Sequence, residues 1–460
     1  MQRQYQQKPF EYRSEHMNQT GVFENVNDAI DAAYEAQAIL MRDFTTEDRD
    51  RFIEAIKQAF LGIVEQETRA EFEETGYGRL DQKIVKNIGT ISTTENTSSV
   101  DSVVMASSKG LTVEYYAPYG LCGALTPVTN GLVTVASNTM TMLAAGNSII
   151  FNCHPAAKLA GAKAVALVNR AVIDAGGPAN IATMPKEPTK ETLDAILESP
   201  KVSLIIGTGS EEMVRIIMGC SKKVIAAGPG NPPTIIDESA DIEKAAFWLS
   251  FAVPFENNML CITEKEIFVL AGAYDAFLAA MVEKGVRILT AEEAEKVTAT
   301  ALIALDGGKH VANKKFVGKD ANFILEAAGV TPSDYDLQLA FVEVAADHPF
   351  VVTEQMMPIV PLVKCATFEE AVEGAIVAEG GCRHSAAIWT NDWKHANEFG
   401  RRIQTTVFVQ NGATIAATGL GGTGNGSATI ATFTGEGITT AKTFTRVRRF
   451  AMGDGGGYIV

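Results

Sequence analysis

Residues 115–157 read YYAPYGLCGALTPVTNGLVTVASNTMTMLAAGNSIIFNCHPAA, without a single Asp, Glu, Lys or Arg. Thr, Ser, Asn, Gly and Pro interrupt the stretch throughout, so no window of about 18 consecutive apolar residues exists and a membrane span is not expected. An uncharged segment punctuated in this way reads as buried strands and loops around a site. Inside it, GLCGAL and NSIIFN are short apolar runs. Outward from it, AAKLAGAKAVALVNRAVIDAG (156–176) has helical spacing, and two further apolar runs follow, VSLIIG (202–207) and KVIAAG (223–228). That alternation is a βαβ rhythm and predicts an α/β fold, a parallel sheet covered by helices.

Upstream, NVNDAIDAAYEAQAIL (25–40) and the segment 47–74 carry apolar residues at helical spacing with charged outer faces, which predicts two long opening helices. Downstream, Gly-Pro-Gly-Asn-Pro-Pro (228–233) is the strongest punctuation in the chain, and a second α/β stretch follows it, so a domain boundary is placed there. TGLGGTGNGSATI (418–430) reads as a glycine-rich loop, and GITTAKTFTRVRRFAM (437–452) as extended structure. No internal repeat of fixed period is visible.

The chain has 460 residues, enough for a core that needs no disulfide or metal staple. With 39 basic and 55 acidic residues the formal charge is −16, which repels nucleic acid and anionic membranes, and neither is an expected partner. The one basic cluster, Arg446, Arg448 and Arg449, falls in an alternating run that a strand would place on a solvated or subunit-contact face. The six cysteines include no CxxC pair, which argues against both a zinc site and a disulfide framework; no metal is expected. The start of the chain, MQRQYQQKPFEYRSEHMNQTG, lacks the apolar centre of a secretory signal. A cytoplasmic setting, with any reactive cysteine acting singly, is the expectation.

Cys261 lies in FENNMLCITEKEIFV (255–269), where a polar loop leads into an apolar strand. A thiol so placed suits a nucleophile, which must lose its proton to react. By residue type alone a small buried hydrophobe is the commoner reading. GTGSEEMV (207–214) follows an apolar run and opens a helix, so Gly207, Thr208, Gly209 and Ser210 form a strand-to-helix turn whose N–H groups can approach phosphate oxygens. It is not G-x-G-x-x-G, and alone it is a weak signal.

APYGLCGALTPVTN, MLAAGNSIIFNCHPAAK, GTGSEEMV, KVIAAGPGNPPTIID, FENNMLCITEK, TEQMMPIVPLV and EGGCRHSAAI stand in that order along the chain. Together they resemble the blocks of the aldehyde dehydrogenase superfamily, and within it the CoA-acylating enzymes of ethanolamine and propanediol utilisation. The resemblance implies a dinucleotide-binding α/β domain (1–103 and 119–227), which also takes coenzyme A, and a catalytic α/β domain (228–417). It also implies an oligomerisation flap (104–118 and 437–460), hence a homodimer or homotetramer. It implies that Cys261 is the nucleophile and that Asn130 donates to the oxyanion. Thr126, Pro127, His154, Pro155, Gly207, Thr208, Gly209, Ser210, Gly228 and Glu354 are then the cofactor residues, Glu354 on the nicotinamide ribose. Without the resemblance, Asn130 reads as a turn residue before Gly131, and Glu354 as a solvated loop carboxylate.

Hydrolytic members of the superfamily carry a glutamate where an ungapped alignment from NPPTIID through Cys261 places Ala227. A methyl group cannot act as a general base, so the acyl group would leave to coenzyme A rather than to water. Glu256 or Glu264 could stand in for the missing base. Hydrolytic release as free acid therefore remains the alternative. His154 replaces a lysine that binds the adenosine ribose in hydrolytic relatives, which favours NAD over NADP. His384 matches a histidine of the subgroup that could line the channel for aldehyde or CoA, although a histidine in a loop before a buried strand is more often a hydrogen-bonded structural residue. His16, His310, His348 and His395 match nothing connected with chemistry. Cys122, Cys153, Cys220 and Cys365 read as core residues, and Cys382 is left open. Acetaldehyde or propanal is the implied substrate. Some relatives enter bacterial microcompartments through an N-terminal helix, which would make shell or lumen proteins partners. Residues 1–20 show no clear amphipathic pattern.

Overall fold

A computed structural model of the chain describes residues 20–459; His16 and most of the N-terminal segment read above lie outside them. The first expected helix is present as Val26–Asp43, capped by the Asn25 side chain. The second expected helix is two, Thr46–Leu61 and Val64–Thr75. Gly62 ends the first, and Ile63 turns back to Phe60, a break that apolar spacing alone does not reveal. Gly76, at φ 66°, ends the second in the left-handed region that glycine occupies without steric cost. Leu80–Thr93 follows.

The βαβ reading is realised as two parallel sheets. The first has six strands in the order Val22–Phe23, Ala182–Pro185, Ser148–Asn152, Leu121–Leu125, Val202–Thr208 and Lys223–Ala227. The second has seven, in the order Arg287–Leu289, Ala340–Glu343, Ile359–Cys365, Glu266–Leu270, Pro233–Ile236, Ser385–Trp389 and Val407–Gln410. The chain crosses from one sheet to the other between Ala227 and Pro233, through the Gly-Pro-Gly-Asn-Pro-Pro punctuation.

The uncharged stretch departs from its reading as strands and loops. Gly131–Ala144 is an α-helix in which every residue is buried. A helix covered on all sides needs no polar face, so it leaves no 3.6-residue signature in the sequence. It packs in the larger core of the first sheet with Phe52, Phe60 and Phe151.

Val103–Ser107 and Gly110–Pro118 form an antiparallel hairpin, joined by Thr445–Met452. Of the tail read as extended from residue 437, only this last part joins the hairpin. Gly437–Ile438 pairs instead with Ile430–Ala431, and Ala441–Phe444 is a 3-10 turn whose Phe444 is buried in the first core. Val104, Met105, Val447 and Phe450 stand exposed on the three-stranded sheet, and Arg446, Arg448 and Arg449 are exposed beside them. No helix among the described residues is long and apolar enough to cross a membrane.

Candidate active site

The residues expected to hold a dinucleotide lie along one edge of the first sheet. His154 and Pro155 follow Ser148–Asn152; Thr126, Pro127 and Asn130 follow Leu121–Leu125; Ser210 follows Val202–Thr208; Gly228 follows Lys223–Ala227. These are adjacent strands, and all the residues sit at or beyond their carboxyl ends, the edge at which open parallel sheets bind ligands. The Ser210 hydroxyl caps Glu211–Met218 by accepting from the Met213 N–H. Gly207 is a packing glycine, since a Cβ there would lie 2.4 Å from Ile217 Cδ1. Gly209 and Gly228 differ: a Cβ would meet nothing nearer than 3.4 Å at the first and 3.6 Å at the second. Neither packing nor a left-handed φ accounts for those two glycines, and both leave the backbone open to close approach.

The second sheet contributes from the opposite strand ends. Glu354, Cys261, Gly230 and His384 precede four neighbouring strands, Ile359–Cys365, Glu266–Leu270, Pro233–Ile236 and Ser385–Trp389. Gly230 joins them. Its N–H donates to Glu354 Oε1 at 3.2 Å, and a Cβ on it would lie 2.7 Å from both the Cys261 carbonyl oxygen and the His384 ring. Thus Cys261, Glu354 and His384 converge on the residue that carries the chain between the sheets.

Burial pushes the Cys261 thiol up to about 12, and the neighbouring Glu354 carboxylate adds to the rise while Lys265 opposes it. Lys265 is fully buried; its ammonium donates to the carbonyls of Asn258 at 2.8 Å and Leu260 at 2.7 Å. The Leu260 carbonyl shares a peptide unit with the Cys261 N–H, so the bound cation polarises that N–H as a donor. Burial also pushes Lys265 down to about 8 against the pull of Glu354. The His384 ring is buried, with Nδ1 at 2.8 Å from Ser385 Oγ, and burial holds it neutral, down to about 3. Cys382, half-buried, is pushed up to about 11 by burial and then by Glu379 and Glu354, so it belongs to this neighbourhood rather than to the core. Cys122, Cys153 and Cys365 are buried as expected, whereas Cys220 is only half-buried.

Both carboxylates that could replace the missing base are buried and partnered, Glu264 through one oxygen only. Glu256 is fully buried between Lys83, 2.9 Å from Oε1, and Lys86, on Oε2. Glu264 is buried with Oε1 accepting the Thr414 N–H at 2.7 Å, and burial raises it above the ordinary carboxylate range. Ala227 ends the last strand of the first sheet, buried.

Asn130 reaches the nucleophile loop through Lys86, whose ammonium donates to both Asn130 Oδ1 and Glu256 Oε2. Glu256 and Asn257 hold left-handed φ values of 53° and 56° in the turn leading to Cys261. His154 is exposed at the surface, its Nδ1 accepting from the Ala156 N–H at 3.1 Å, and partial desolvation of the ring together with nearby Lys314 lowers its basicity. Lys83, Lys86, Lys265 and Gly230 were not singled out from the sequence. The available signal was Lys83 and Asn87 at helical spacing with apolar Ile91, a polar stripe on a face that proves buried. No group of three or more potential metal ligands occurs among the described residues.

Residues 14–448 match the aldehyde dehydrogenase family. An acetylating acetaldehyde dehydrogenase of Salmonella typhimurium is 38% identical over 440 residues, 95% of this chain and 93% of its own length. A propionaldehyde dehydrogenase from the fucose-utilisation microcompartment of Clostridium phytofermentans superposes with a TM-score of 0.91 at 37% identity, covering 95% of this chain and 99% of the other. The propionaldehyde dehydrogenase of Rhodopseudomonas palustris, with bound CoA and an acylated cysteine, superposes with a TM-score of 0.91 at 35% identity, over 95% and 98% of the two chains. On this match over nearly its whole length, the chain belongs to the aldehyde dehydrogenase family.

Proposed function

We propose that the chain oxidises a short aldehyde, acetaldehyde or propanal, to its acyl-CoA with NAD, reversibly, through a thioester on Cys261. The observation that carries this reading is the engagement of the two carboxylates that could stand in for the missing base. Glu256 is held by two lysines, Glu264 by the Thr414 N–H, and Ala227 stands where hydrolytic relatives keep a base. Water at the thioester lacks an activator, and a thiol needs less activation.

In this reading the Cys261 thiolate adds to the aldehyde carbon, and the Asn130 amide with the Cys261 N–H receives the charge on oxygen. Removing one such donor typically costs about 100-fold to 1000-fold in rate. The dinucleotide supplies the hydride acceptor. Gly207, Thr208, Gly209, Ser210 and Gly228 offer backbone to its phosphates, Thr126, Pro127, His154 and Pro155 line its adenosine side, and Glu354 takes the nicotinamide ribose. Engaging Glu354 with ribose hydroxyls would move a negative charge away from the thiol it now suppresses. The acyl group on Cys261 then passes to the thiol of coenzyme A. NADP is a second reading, favoured by Lys314 beside His154. Lys314→Ala raising KM for NADP and not for NAD would support it.

The division into residues 1–103 and 119–227, 228–417, and a flap of 104–118 with 437–460 belongs to the same reading. The exposed apolar side chains of the flap suit pairing with a second subunit in a dimer or tetramer. A cytoplasmic or microcompartment setting, with shell or lumen proteins as neighbours, agrees with where the fucose-utilisation relative comes from. The test is NADH formation from acetaldehyde and propanal with and without CoA. Turnover is expected only with CoA, and none in Cys261→Ala. Equal rates without CoA would overturn acyl transfer in favour of hydrolysis.

A further inference from the structure

Asn130 and Cys261 come from different sheets, and the contact between their loops is built from charged groups the reaction itself does not consume. Lys83 and Lys86 project from one face of Leu80–Thr93. Lys83 donates to the Thr129 carbonyl at 2.9 Å and pairs with Glu256 Oε1 at 2.9 Å. Lys86, with only 9% of its side chain exposed, donates to Asn130 Oδ1 and pairs with Glu256 Oε2. Such a buried ion group has to balance its own desolvation, which makes it a poor device for stability alone.

An ammonium has three donors and no acceptor. A carboxamide is pseudo-symmetric, and its two orientations differ only in which end is a donor. Lys86 breaks that symmetry, because the atom facing it must be the amide oxygen. The amide nitrogen is then turned away from the lysine, with one contact, Thr129 Oγ1 at 3.3 Å, and a second N–H left over. Without Lys86 the amide could instead present its oxygen to the Thr129 hydroxyl, and lone pairs would face a developing oxyanion.

We propose that Lys86 is a positioning residue that holds the Asn130 amide with its nitrogen toward the reacting oxygen. Glu256 anchors that lysine in turn, and the inference rests on Asn130 being the oxyanion donor. The readout is the single-turnover burst of NADH at saturating aldehyde and NAD, in a double-mutant cycle of Lys86→Met and Asn130→Ala. Lys86→Met is expected to slow the burst at least about 10-fold, below the 100-fold to 1000-fold span of a lost donor, with NAD affinity within threefold. In the Asn130→Ala background it is expected to slow the burst by less than about twofold, since no amide remains to orient.

A purely structural lysine would slow both backgrounds alike, and equal factors would overturn the proposal. A Lys86→Met burst within threefold of wild type would also overturn it, while a slow Asn130→Ala leaves the donor reading standing. An Asn130→Ala burst within threefold of wild type would remove the donor reading and the proposal together. If Lys86→Met does not fold, Lys86→Met/Glu256→Gln replaces it in the cycle as a unit, with the same expected factors relative to wild type and to Asn130→Ala.

Discussion

Gly230→Ala tests the convergence of the two sheets most directly. The added methyl carbon would lie 2.7 Å from the Cys261 carbonyl oxygen and from two atoms of the His384 ring. Comfortable carbon contacts begin near about 3.5 Å, so something must yield by roughly 0.8 Å. The His384 ring is buried beside Ser385 and has little room to retreat, and the carbonyl is part of the chain that carries the nucleophile. Overpacking of this kind costs about 1–3 kcal/mol in stability, and misplacing a reacting group by about 1 Å costs on the order of 100-fold in rate. We therefore expect Gly230→Ala to fold, with a melting temperature lowered by several degrees, and to lose about two orders of magnitude in kcat. The assay is NADH formation with CoA, paired with a thermal melt. Gly89→Ala is the control, because a Cβ there meets nothing within 4 Å. A Gly230→Ala enzyme with kcat within threefold of wild type would show that the crossing does not set the position of Cys261.

Because the free enzyme holds the Cys261 thiol at about 12, its alkylation by iodoacetamide should rise about tenfold per pH unit from pH 7 to 10 without a plateau. Glu354→Gln removes a raising charge and should speed alkylation at fixed pH; a plateau near pH 8.5 in wild type would contradict this. His384 is neutral when folded and charges near 6.5 when unfolded, so its contribution to stability is full above that value and is lost as pH falls toward 3. Between pH 7 and pH 5 that loss is about 2 kcal/mol, and in denaturant melts His384→Asn should lose correspondingly less. Lys265→Met, which strips the cation from the Leu260 carbonyl, should slow the NADH burst tenfold or more with KM for NAD little changed. An unchanged burst would mean that the peptide is not tuned by it.

The α/β class was readable because strands buried on both faces appear as short apolar runs between glycines, as in VSLIIG and KVIAAG. Gly131–Ala144 was not readable as a helix, because full burial erases the polar face that periodicity detects. Cys261, Asn130 and Glu354 enter as candidates only through the ordered blocks, since each alone also fits a structural reading. Gly230, Lys86 and Lys265 escaped notice for another reason. Each acts through a partner distant in sequence or through a backbone carbonyl, and neither kind of contact leaves a local motif. Glu256 shows the same limit from the other side: its identity suggested a base, and only its two lysines reveal that it is occupied.

The opposed strand ends carry a kinetic consequence. The thiol hangs from the amino ends of one sheet, while the edge proposed to bind the dinucleotide belongs to the carboxyl ends of the other. In the proposed function the acyl group and most contacts to the dinucleotide therefore hang from different sheets, with Glu354 alone reaching the dinucleotide from the side of the thiol. On that reading the reduced dinucleotide can leave while the acyl group stays covalently on Cys261, as a double-displacement order requires.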